Sequence, residues 1–134
     1  MIYFLPEKGV IFSGDLYLGD HYLGDHIRYF RADEDMGAQI SSLKKVLALN
    51  FETLLCSHNP RQTRGRQHIQ NKLDFLENLY GNIISLWKTG KTPKEILREL
   101  KLKEDYFTKY FTFGNVSMLN GVRSAIRHHE QYKN

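Results

Sequence analysis

Apolar positions along the chain follow two different repeats, and the switch between them divides it. Ile2-Tyr3-Phe4-Leu5 and Val10-Ile11-Phe12 are short runs rich in strand formers, separated by Pro6-Glu7-Lys8-Gly9. Proline presets the turn and glycine supplies positive φ where the chain reverses, so this stretch predicts a β-hairpin. Thr53-Leu54-Leu55-Cys56-Ser57 is a third run of the same kind and predicts another strand. Between the two, Met36, Ile40, Leu43 and Leu47 recur at helical spacing. The acidic Asp33-Glu34-Asp35 suits the positive end of that helix, and Lys44 and Lys45 mark its outer face.

Beyond Pro60 the pattern is helical throughout. Ile69, Leu73, Leu76, Tyr80, Ile83 and Trp87 alternate steps of four and three, a narrow seam suited to packing on one other helix, from the same chain in preference to a copy of it. Gly81 weakens this helix without ending it. Thr92-Pro93-Lys94-Glu95 combines an N-cap, a proline at the first helical position and a glutamate that reaches back, so a short helix starts there on Ile96, Leu97 and Leu100. The aromatic stretch from Lys103 to Phe113 predicts a further turn or two with its rings inward, broken by Gly114-Asn115. A last helix is predicted from Ser117 to Gln131 on Met118, Leu119, Val122 and Ile126. The expected class is α/β, with an α/β portion over residues 1–60 and a helical C-terminal subdomain over 61–134.

Composition narrows the class only a little. At 134 residues and 41% hydrophobic, the chain has material for one ordinary core. One cysteine excludes an internal disulfide, and no apolar run is long enough to span a bilayer, so a cytoplasmic location and no membrane partner are expected. The net charge of +4 is mild and spread out, and does not require nucleic acid. Tyr17-Leu18-Gly19-Asp20-His21 is followed at once by an identical Tyr22-Leu23-Gly24-Asp25-His26. Five residues are too few for a solenoid repeat, and the duplication reads as a lengthened loop rather than a second ligand set.

Candidate chemistry sits where the strands stop. Ser13-Gly14-Asp15 closes the second run, and Ser57-His58-Asn59-Pro60 closes the third, so a carboxylate and an imidazole each stand at the end of a predicted strand. These two segments, with the order of strand, helix, strand and helix around them, resemble the C-terminal half of a metallo-β-lactamase-superfamily hydrolase. The resemblance covers nearly the whole chain in order of elements. It implies part of an αββα sandwich, a small sheet with its covering helix, followed by helices. It also implies that Asp15 is the carboxylate bridging two metals and that His58 is the last histidine ligand, with zinc as the expected metal. The family's His-x-His-x-Asp-His does not occur in the chain. The expectation is therefore a truncated fragment, inactive alone, of an enzyme that adds a metal-activated hydroxide to an ester, thioester or amide. A sheet face left bare would make the chain a homo-oligomer.

Other residues admit plainer readings. Arg64, Arg66 and His68 could hold an anionic substrate, or could be the solvated start of a helix. Cys56 reads as a small core residue of its strand. His128 and His129 are adjacent, cannot easily chelate one ion, and read as exposed cations at a helix end. A second class of function comes from the C-terminal helices, where the Thr92 helix and the helix carrying Asn120, Arg123 and Arg127 could form a helix-turn-helix-like nucleic-acid-binding or protein-interaction module.

Overall fold

The computed structural model describes residues 1–14, 16, 30–56, 64–103, 110 and 112–133. In chain order the elements are β1 (Tyr3–Leu5), β2 (Val10–Gly14), β3 (Phe30–Arg31), α1 (Met36–Leu47), β4 (Thr53–Cys56), α2 (Gly65–Lys88), α3 (Pro93–Glu99), β5 (Val116–Ser117) and α4 (Met118–Gln131). The class is mixed α/β. The chain divides into two units, Met1–His26 with Gln39–Phe75, and Ile27–Ala38 with Leu76–Asn134. Among the described residues no helix is long and apolar enough to cross a membrane.

In the first unit β1 and β2 form the hairpin that the Pro-to-Gly turn predicts. A single 3-10 turn over Pro6–Lys8 joins them, and Gly9 closes it at φ 58° with its N–H donating to Pro6 O at 3.2 Å. β4 then pairs with β2 in parallel, giving a three-stranded mixed sheet in the order β1-β2-β4. The register sorts the side chains. Phe4, Ile11 and Leu54 form one paired row, and Tyr3, Phe12 and Leu55 form a row on the opposite face. Ile11 and Leu54 are fully buried, in a core shared with Leu43, Val46, Phe51, Ile69 and Leu73. On the other face Tyr3, Leu5 and Phe12 are exposed.

The second unit is built around α4. Ser117 caps it, accepting from Asn120 N, so its start falls where the sequence places it. Phe30 is completely buried, and β3 pairs antiparallel with β5 through Phe30↔Ser117 and Arg31↔Val116. Asp35, just ahead of α1, accepts from Ala38 N at 2.8 Å in the manner of an N-cap, and Met36 N donates to the buried Ser124 Oγ. α3 carries the full capping box: Thr92 accepts from Glu95 N, and the Glu95 carboxylate accepts from Thr92 N at 2.7 Å.

Two sequence expectations need correction. The apolar side of α2 is broader than a 3.5-residue seam. Leu79 and Ile84 are buried beside Leu76 and Ile83, while Tyr80 and Trp87 are only half-buried. This is the wide stripe of a helix set in a globular core rather than a coiled-coil edge. α2 and α4 meet at Trp87, whose Nε1 donates to Glu130 Oε1 at 2.9 Å, and at Tyr80, whose ring lies 6.0 Å from that of His128. The aromatics before Gly114 do not all turn inward: Tyr110 and Phe113 are 75% and 99% exposed. Phe113 takes φ 53°, so the backbone turns over at that residue and carries its ring away from the core. The intervening residues 104–109 and 111 lie outside the described residues.

Gly81 sits mid-helix on the exposed side of α2, and a methyl group added there meets nothing within 4 Å. Gly81→Ala is therefore expected to stabilise the protein by about 0.5–1 kcal/mol, read as a higher urea midpoint at unchanged slope.

Candidate functional site

The parallel pairing fixes the frame of the candidate site. β2 and β4 run in the same direction and finish together, with Gly14 opposite Cys56 after a local irregularity between Phe12 and Gly14. Sheet neighbours lie about 4.8 Å apart. Segments far apart in sequence thus leave the sheet side by side at its carboxyl edge, where open α/β folds place their chemistry. Ser13 is buried, with its hydroxyl 3.5 Å from Leu55 O, so the two strands are also tied by a side chain just short of their ends.

Past β2 the chain turns at once. Gly14 takes φ 53°, a conformation that favours glycine, and Leu16 N donates to Ser13 O at 3.1 Å. The Lys72 ammonium on α2 donates to Leu16 O, anchoring the exit from the strand. Cys56 is 6% exposed and belongs to the core, as its strand position suggests. Asp15 follows Gly14 directly, and His58 comes two residues after Cys56; both lie outside the described residues, as does the duplicated Tyr17–His26 segment. Among the described residues no group of three or more His, Cys, Asp or Glu could hold a metal ion.

Of the three candidate substrate-binding residues, Arg66 is held by main-chain carbonyls. Arg66 donates to Leu47 O at 3.0 Å and Leu49 O at 2.6 Å, and its guanidinium lies 5.5 Å from the centre of the Phe51 ring. It therefore satisfies carbonyls left open at the end of α1 and holds the link into β4. Arg64 is exposed just before α2 at φ 57°. His68 is half-buried two residues beyond Arg66, and residues at that spacing on a helix do not face each other.

The histidines near the C-terminus, expected to be exposed, are both half-buried. His128 is half-buried, its Nδ1 2.9 Å from Asp35 Oδ1 though poorly aligned for a hydrogen bond, and its ring lies between Tyr80 and Tyr132. A Cβ at Gly37 would overlap that ring, so α1 begins in direct contact with α4. Burial, and secondarily the Asp35 carboxylate, raise the pKa of the Tyr80 phenol. Sequence reasoning missed this cluster because its members come from three helices or their caps, with no spacing to connect them. Two of the three residues proposed for a recognition helix are committed to backbone carbonyls. The Asn120 amide reaches Phe30 O, Gly114 O and Asn115 O, and Arg127 donates to Glu34 O at 3.0 Å. Arg123 is exposed.

No protein-family model matches the sequence, and comparison with curated proteins returns no match.

Proposed function

We propose that the chain is the C-terminal part of a metal-dependent hydrolase of the metallo-β-lactamase superfamily. In this reading Asp15 is the carboxylate bridging two metals, His58 is the last histidine ligand, and the substrate of the parent enzyme is an ester, thioester or amide. One observation carries it: β2 and β4 are parallel and end opposite each other at Gly14 and Cys56, the residues from which Asp15 and His58 follow by one and two positions. A hairpin feeding a crossover helix and a parallel strand is the order of elements that the resemblance calls for. The cytoplasmic setting belongs to the same reading.

Asp15 and His58 do not by themselves fit a closed zinc site, which takes four ligands. No catalytic step is assigned to this chain alone. The expected result is weak zinc uptake by the purified chain in a calorimetric titration, weakened further by Asp15→Ala and by His58→Ala, with nitrophenyl-ester hydrolysis no faster than buffer. Uptake indifferent to both substitutions would sink the ligand assignment. Turnover that EDTA abolishes and zinc restores would show that the chain is a complete enzyme.

A further inference from the structure

The sheet of the first unit has two faces of similar chemistry and very different surroundings. Strand alternation and the observed register place Tyr3, Phe12 and Leu55 in one row and Leu5, Val10 and Thr53 in the next, all on the face away from Ile11 and Leu54. Tyr3, Leu5 and Phe12 are 65%, 38% and 41% exposed, and the other three are partly exposed. None of the six is charged. Aromatic side chains that would ordinarily support a core instead face solvent in a contiguous patch.

From this we infer that the open sheet face is the contact surface for a second copy of the same chain, packed face to face about a twofold axis. An isologous contact requires a patch that complements itself, and an uncharged apolar surface does so without placing like charges together. A charged partner would find no counter-charge among these rows. Sheets stack about 10 Å apart with their side chains interdigitated, which rows of Tyr, Phe and Leu next to the smaller Val and Thr allow. The area sets the strength. With about 150–250 Å² to each fully exposed aromatic, the face offers roughly 400–500 Å² per copy. A pair then buries about 800–1,000 Å², the low end for a specific interface, so the dimer is a reversible one.

Sedimentation velocity on the full chain tests this. The weight-average mass is expected to rise from 15.8 kDa toward twice that value as concentration increases from about 1 to about 100 µM. Phe12→Lys and, separately, Tyr3→Lys are each expected to shift the midpoint at least tenfold upward while the far-UV circular dichroism stays that of the parent chain. Because both side chains lie on the open face, either variant suffices if the other misfolds. A single-chain mass across the whole range, or a dimer whose midpoint neither substitution moves, would overturn the inference. The contact is argued from residues of β1, β2 and β4 and not from Asp15 or His58, so a monomeric chain would leave the proposed metal ligands standing, and loss of those ligands would leave the dimer standing.

Discussion

Ser124→Ala is expected to destabilise the protein by about 2–3 kcal/mol, out of proportion to the single oxygen atom removed. Ser124 is 1% exposed, and its hydroxyl accepts from Met36 N and donates to Glu34 O, both at 2.8 Å. Met36 opens α1, where an amide has no partner within its own helix. Without the hydroxyl that amide is buried and unpaired, whereas Glu34 O keeps the Arg127 guanidinium at 3.0 Å. The loss therefore falls mainly on the amide. It follows that Arg127→Ala alone should cost little, while Ser124→Ala with Arg127→Ala should cost more than the two single changes together, because only the pair strips the carbonyl as well. Urea denaturation followed by circular dichroism measures all three. A Ser124→Ala loss below about 0.5 kcal/mol would mean that water or a shifted helix start replaces the hydroxyl.

Gly65→Ala should be comparably damaging, by about 2–3 kcal/mol, even though alanine is the better helix former. The first residue of α2 lies against β4. A Cβ there would stand 2.7 Å from Leu54 Cβ, 2.9 Å from Leu54 N and 3.0 Å from Glu52 O. Two of those neighbours are backbone atoms, one in β4 and one just before it, and Gly65 N already donates to Glu52 O at 2.8 Å. Relief would require lifting the helix off the sheet and stretching that bond. The gain in propensity, at most about 1 kcal/mol, is smaller than the overlap it must offset. Gly81 supplies the internal control, since the same substitution on the same helix meets open space. If both glycines responded alike to alanine, helix propensity and not packing would govern α2.

What the residues disclosed by themselves was local. The hairpin rests on a proline and a glycine three positions apart, α3 on four consecutive residues, and the start of α4 on one serine; each is decided by neighbours in sequence, and each is found where expected. The two-residue strands Phe30–Arg31 and Val116–Ser117 carry no such signal, because their pairing joins segments more than eighty residues apart and depends on the packing of Phe30. Arg66 shows a related limit. A basic loop suggests an anion, and the structure adds acceptors that no side-chain pattern announces, the main-chain carbonyls of Leu47 and Leu49. For the candidate site, the sequence could mark the two strand ends but not the relation between them. Only the register shows that β2 and β4 are parallel neighbours, with Gly14 and Cys56 at a common edge.

The parallel join has a kinetic consequence. Ser13 and Leu55 are 42 residues apart, whereas the β1–β2 hairpin closes over a few. Ring closure over such a span costs chain entropy before any contact repays it, so the hairpin can form early while the third strand must wait for α1 to bring it back. During that wait the inner row of Ile11 is as bare as the outer row of Phe12, and a nascent chain is stickiest before its last strand has docked.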